Sequence, residues 1–144
     1  MNTLAKDTVT MKTTSRGKRE KADSDKFGGM EAAKKILNEQ PDITAIMCGN
    51  DQMAVAAKTA LNLAGNDQTV VYSIDGSPDI KKELKKADSQ IAGTVAQSPV
   101  NIGKKAVDIA LDILEGKDFE KETSVDVFMI NKENVEMYGA DGWQ

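Results

Sequence analysis

Histidine is absent from the 144 residues. That removes the commonest general base and metal ligand, and with it any Ser-His-Asp or Cys-His mechanism. Cysteine occurs once, at Cys48, so no internal disulfide can form. Cys48 follows Ile46 and Met47 in an apolar run and reads as a small buried hydrophobe. Aromatics are only 4% of the chain, which leaves Ala, Ile, Leu, Val and Met to build a core. No apolar stretch approaches the ~20 residues of a transmembrane helix. Met1 to Lys12 lacks the hydrophobic centre of a secretory signal, so the chain as written would be expected to stay in the cytoplasm. The net charge is −4 and no basic stripe stands out, so nucleic acid is not an expected partner. Neither a dinucleotide-binding glycine motif nor a phosphate-binding P-loop occurs. The Asp and Glu residues are dispersed, without metal-ligand spacing. Neither a cofactor nor a metal is therefore expected, Ser73 and Ser77 have no histidine to activate them, and enzyme chemistry finds little support.

What is present is an ordinary single-domain composition, 40% hydrophobic and 29% charged, with enough chain to bury a core. Residues 1–26 stand apart. They are rich in Lys and Arg, interspersed with Asp7, Glu20, Asp23 and Asp25, and show no helical or strand period, so they read as a loosely ordered or extended segment. Residues 27–134 alternate regularly and form the expected domain, followed by a tail over 135–144. Met30, Ala33, Ile36 and Leu37 recur at helical spacing across 28–38, and Pro41 stops that helix. The run Ala45 to Cys48 predicts a strand buried on both faces. An Ala-rich helix over 51–64 ends at Gly65. Val70 to Ile74 predicts a β-branched strand, and Pro78 opens a helix to about Ala87. Ile91 to Val95 is the next strand. Ile102 to Glu115 carries Ile102, Ala106, Ile109, Ala110, Ile113 and Leu114 on one stripe of an amphipathic helix. Val125 to Ile130 completes the series as an edge strand. Strands alternating with helices imply an α/β fold with βαβ units, right-handed crossovers and a mainly parallel sheet.

In open α/β sheets, ligands bind beyond the carboxyl ends of the strands. That rule selects Asn50 and Asp51 after the first of these strands, Asp75 and Gly76 after the second, and Gln97 after the third. Asn, Asp and Gln each carry a flat group with paired polar atoms that can match two adjacent hydroxyls of a polyol. The charge-assisted bonds of Asp75 would be the strongest. Structural roles compete. Asp51 at a helix start reads as a cap rather than a ligand contact, Asn50 could cap the same helix, and Asp75-Gly76 is also a common turn pair.

At these strand ends the sequence resembles the ribose- and galactose-type periplasmic binding proteins. Three segments carry the resemblance: Pro41 to Ala54, with its Asn50-Asp51-x-Met53-Ala54; Ile74-Asp75-Gly76-Ser77-Pro78-Asp79; and Gly93-Thr94-Val95-Ala96-Gln97-Ser98-Pro99, with Gly103 and Ala106 beyond. Together the match covers roughly Ala22 to Asn134. It implies the C-terminal lobe of a type I periplasmic-binding-protein fold, with a parallel sheet in three layers. It also implies a non-enzymatic receptor with two lobes that close on one monosaccharide and deliver it to the membrane subunits of an ABC transporter, in the periplasm or another extracytoplasmic space. By the same resemblance Asn50, Asp75 and Gln97 bond the sugar or orient groups that do. Thr14 to Arg19 resembles the family's Arg-bearing helix, which makes Arg16 a further ligand candidate. Ser24 stands where the family has a stacking aromatic. The family's N-terminal lobe has no counterpart here, and the first strand and helix of its C-terminal lobe are degraded or missing. The 102–114 helix packs on the other lobe in the family, so its stripe would be left for self-association or repacking. A second function shares the fold, the effector-binding lobe of a lac-repressor-like transcription regulator. Such regulators carry a helix-turn-helix and commonly a second acidic residue where this chain has Gly76. A small α/β enzyme or phosphate-binding domain is a third reading, opposed by the missing histidine and phosphate loop.

Overall fold

The computed structural model describes residues 9–13 and 19–143. Six strands form one sheet in the order β2-β1-β3-β4-β5-β6. They are β1 (Val9–Thr13), β2 (Arg19–Ala22), β3 (Ala45–Met47), β4 (Val70–Asp75), β5 (Ile91–Ala96) and β6 (Phe128–Asn131). The helices are α1 (Lys26–Glu39), α2 (Asp51–Leu63), α3 (Pro78–Leu84) and α4 (Pro99–Leu114), and a 3-10 turn spans Val135–Met137. The α/β class is as expected, but the sheet is mixed rather than mainly parallel. β3, β4 and β5 run parallel, while β1, β2 and β6 each run antiparallel to their neighbours.

Local chemistry fixes the helix starts. Asp25 accepts from the Gly28 N–H at 2.7 Å, Asn50 from the Met53 N–H at 2.8 Å, and Ser77 and Ser98 cap α3 and α4. Each satisfies one of the orphan donors of a first helical turn. Pro78 and Pro99 follow the two serines at the first helical position, where a missing N–H costs nothing.

The steps from β3 to β4 and from β4 to β5 move across the sheet in one direction. Right-handed crossovers therefore place α2 and α3 on the same face. α1 packs beside α2, and Gly29 makes this possible: a Cβ there would lie 2.7 Å from the Met53 Cα. Between these helices and the sheet lie Ile36, Ile46, Met53, Leu61, Val71, Ile80, Leu84, Ile91 and Ile130, all essentially inaccessible. Each contributes about 1.5–3 kcal/mol of burial free energy. Cys48 lies in this core. Burial, reinforced by the negative charge of Asp51, pushes its thiol far above the usual range, so it is an inert packing residue.

The second face of the sheet is open. Met47, Ile74 and Met129 are 38–47% exposed, and no residue of α4 is buried. The expected third layer is therefore not closed. A helix on that face requires a crossover in the opposite direction, and the chain instead adds the antiparallel strands β1 and β2 to the sheet edge beside β3. For the same reason β3 is buried on one face only.

Three further expectations are corrected. Val9–Thr13 and Arg19–Ala22, expected to be loosely ordered or extended, are extended but not loose: they are paired strands, with β1 also bonded to β3. Backbone pairing at a sheet edge needs little apolar side chain, and in β2 only Ala22 is buried. β6 begins at Phe128 rather than Val125, because Ala96, the last residue of β5, pairs with Phe128 and leaves nothing for the preceding residues to ladder with. The segment expected to be a tail is packed: Val135 is buried, and Tyr138 stacks on Phe128 with ring centroids 5.0 Å apart.

Candidate functional site

The carboxyl ends of β3, β4 and β5 lie side by side. Beyond them stand Asn50, Asp75 and Gln97. Their arrangement is built by a residue read from sequence as a helix cap. Asp51 is 2% exposed. Its Oδ1 accepts from the Ser73 hydroxyl at 2.5 Å and the Thr94 hydroxyl at 2.8 Å, and its Oδ2 accepts from the Ser77 N–H at 2.6 Å. One carboxylate thus ties α2 to β4, β5 and the start of α3. Charge-assisted bonds of this kind are the strong class, and a buried carboxylate persists only when its lone pairs are taken. The cap of α2 is Asn50. The signal for Asp51 was available: Ser73 and Thr94 are cross-strand partners on the core face, where hydroxyls require a shared acceptor.

Asp75 is held in a strained conformation. Its φ is +134°, a region that residues with side chains rarely occupy. Gly76 follows at φ +78°, and a Cβ there would lie 2.6 Å from the Cβ of Ala96. Two successive positive φ values turn the chain sharply out of β4, and such strain collects at functional positions. The turn places the Asp75 carboxylate against Gln97, whose Nε2 donates to Oδ1 at 3.2 Å. The Gln97 N–H donates to the Asp75 carbonyl at 3.0 Å. The Asp51 N–H, in the first turn of α2, donates to Asp75 Oδ2 at 3.4 Å, and a helix N-terminus favours negative charge. Burial raises the Asp75 carboxyl above its ordinary pKa, and the Asp51 charge adds to this, while the bonds from Asp51 and Gln97 oppose it. A carboxylate has about four acceptor positions, so two remain for an incoming ligand.

Asn50 is half committed. Its Oδ1 caps α2 and its Nδ2 donates to the Ser24 carbonyl at 3.0 Å. One donor and one acceptor position are left. Asp75 and Gln97 are thus in direct contact, with Asn50 next along the edge beside Asp51. Arg16 lies outside the described residues. A cleft of about 310 Å³, lined by Asp75, Gln97, Pro99, Ile102 and Trp143, opens here, at the small end of the range for small-molecule sites. A cleft of about 450 Å³ lies at the opposite, amino ends of the strands. There Asn66 spends its side-chain oxygen on the Gln68 and Thr69 N–H groups, so its polar lining is turn chemistry. Among the described residues no group of acidic or cysteine side chains could hold a metal ion.

Comparison with known proteins defines the class. Residues 1–118 match the model of the periplasmic binding protein domain, and the chain belongs to that family. Among curated relatives, the ribose import binding protein of Salmonella typhimurium is 36% identical over 112 residues, covering 78% of this chain and 37% of that protein. The ribose import binding protein of Bacillus subtilis is 39% identical over 106 residues, 74% of this chain and 34% of that protein. The chain therefore spans little more than a third of the relatives it matches. An ABC transporter periplasmic solute binding protein from Actinobacillus succinogenes with bound D-allose superposes with a TM-score of 0.75 at 26% identity, covering 81% of this chain and 41% of that one. A solute binding protein from Agrobacterium vitis with bound allitol gives 0.72 at 30% identity, covering 78% and 40%.

Proposed function

We propose that this chain is the C-terminal lobe of a sugar-import receptor and supplies one wall of its monosaccharide site. The observation that carries the reading is the Asp75–Gln97 pair at the carboxyl edge of the sheet; Asn50 follows the neighbouring strand, one residue before the Asp51 N–H that bonds Asp75. Asp75 is the principal acceptor for two adjacent sugar hydroxyls. Gln97 holds that carboxylate with its Nε2 and offers Oε1 to a hydroxyl donor. Asn50 contributes its remaining amide positions. No covalent step is involved: binding is by hydrogen bonds to a rigid rim, and release to the membrane subunits of an ABC transporter follows opening of the cleft. The relatives are named as ribose and allose binders, so an aldopentose or aldohexose is the ligand class, in an extracytoplasmic compartment. The open stripe of α4, with Ile102, Ile113 and Leu114 all exposed, is the surface that meets a companion lobe or a second copy of the chain.

A single wall buries only part of a sugar, so affinity for this chain alone is expected near 1 mM or weaker. Saturation-transfer NMR against a panel of pentoses and hexoses tests this. A saturable signal from D-ribose or D-allose, lost in Asp75→Ala and weakened in Gln97→Ala, is the expected result. Absence of any saturable sugar would overturn the reading, and micromolar binding by this chain alone would contradict the single-wall arrangement.

A further inference from the structure

The Tyr138–Trp143 segment returns to the carboxyl edge of the sheet. Buried Lys81 on α3 fastens it: the Nζ donates to the Gly142 carbonyl at 2.5 Å. Burial lowers the Lys81 pKa, and the charge of Asp141 in the same segment opposes that shift. Phe128 and Tyr138 anchor the other end by ring stacking. The segment thereby brings Trp143 to the cleft that holds Asp75 and Gln97. Trp143 is half exposed and lines the cleft beside Pro99 and Ile102 without filling it, leaving about 310 Å³ of open volume.

A sugar ring has a hydroxyl rim and apolar C–H faces. Asp75 and Gln97 answer the rim. Trp143, Pro99 and Ile102 form an apolar side of the same cleft, and an indole is a large flat surface suited to the C–H face. We propose that Trp143 is a binding residue, the aromatic wall against which the sugar ring packs. This rests on the monosaccharide reading of the Asp75–Gln97 site.

Trp143 is the only tryptophan in the chain, so its fluorescence reports this cleft alone. D-ribose and D-allose are titrated into the full chain while tryptophan emission and saturation-transfer NMR are followed in parallel. The expected result is a saturable change in emission with the same dissociation constant as the NMR signal. Trp143→Ala weakens binding about 3- to 10-fold, the size of an aromatic packing contribution, and Trp143→Phe recovers most of it. Sugar bound by NMR with silent emission, or with unchanged affinity in Trp143→Ala, overturns the inference and leaves the Asp75–Gln97 reading intact. No sugar bound by either method overturns both.

Discussion

Replacing Asp75 by glycine should leave the fold more stable than replacing it by alanine, reversing the usual order. The reason is the φ of +134°. Alanine keeps a Cβ in that conformation and so keeps a strain of about 1–3 kcal/mol. Glycine releases most of it and loses about 0.5–1 kcal/mol through the greater freedom of the unfolded chain. Both variants lose the same side-chain bonds, from Gln97 and from the Asp51 N–H, so those terms cancel in the comparison. The balance favours Asp75→Gly over Asp75→Ala by about 1 kcal/mol at mid-range and by up to about 2.5 kcal/mol. Urea denaturation of the two variants, with equal m-values as the check on comparability, reads the difference directly. Neither variant retains the sugar signal, which separates the energetic argument from the binding one. A midpoint for Asp75→Ala equal to or above that of Asp75→Gly would refute the claim that backbone strain is stored at this position.

Two other outcomes follow from the same network. Asp51→Asn places an amide against three donors, those of Ser73, Thr94 and Ser77, and should cost about 2–3 kcal/mol by thermal or urea unfolding; a loss below about 0.5 kcal/mol, the scale of an ordinary surface change, would show that the carboxylate is not the junction. The raised pKa of Asp75 means that the folded state holds its proton more tightly than the unfolded chain. Its contribution to stability is therefore fully present below the ordinary carboxylate pKa and is lost as pH rises through the raised folded value. Asp75→Asn removes that dependence, so wild type should gain stability relative to the variant as pH falls through this window; a constant difference would contradict the sign.

The alternation of helix and strand was legible because each helix carries its own stop and start signals, such as Pro41, Gly65 and Ser77-Pro78. The same Ser-Pro pair at Ser98-Pro99 opens α4 three residues before the point that hydrophobic spacing suggests, since capping and not the apolar stripe sets a helix start. The β1–β2 hairpin was hidden because its stability lies in backbone pairing with β3, which leaves no periodic apolar side chains. The positions of Asn50, Asp75 and Gln97 followed from the rule that ligands bind beyond strand ends. The division of labour among them did not. Only the fold reveals that Asp51 is spent inside, that Asn50 is half spent as a cap, and that Asp75 is turned outward by two positive φ values. Trp143 was unreadable as a site residue, because the return of its segment depends on a tertiary bond from Lys81.

Backbone and side-chain amide NMR of the labelled chain during a D-ribose titration, run in parallel with D-allose, tests the central claim most directly. The side-chain amides of Gln97 and Asn50 and the backbone amides of Asp75 and Gly76 should shift together along one saturable curve. Shifts confined to the opposite end of the sheet, around Pro41, Asn66 and Gln68, would contradict it.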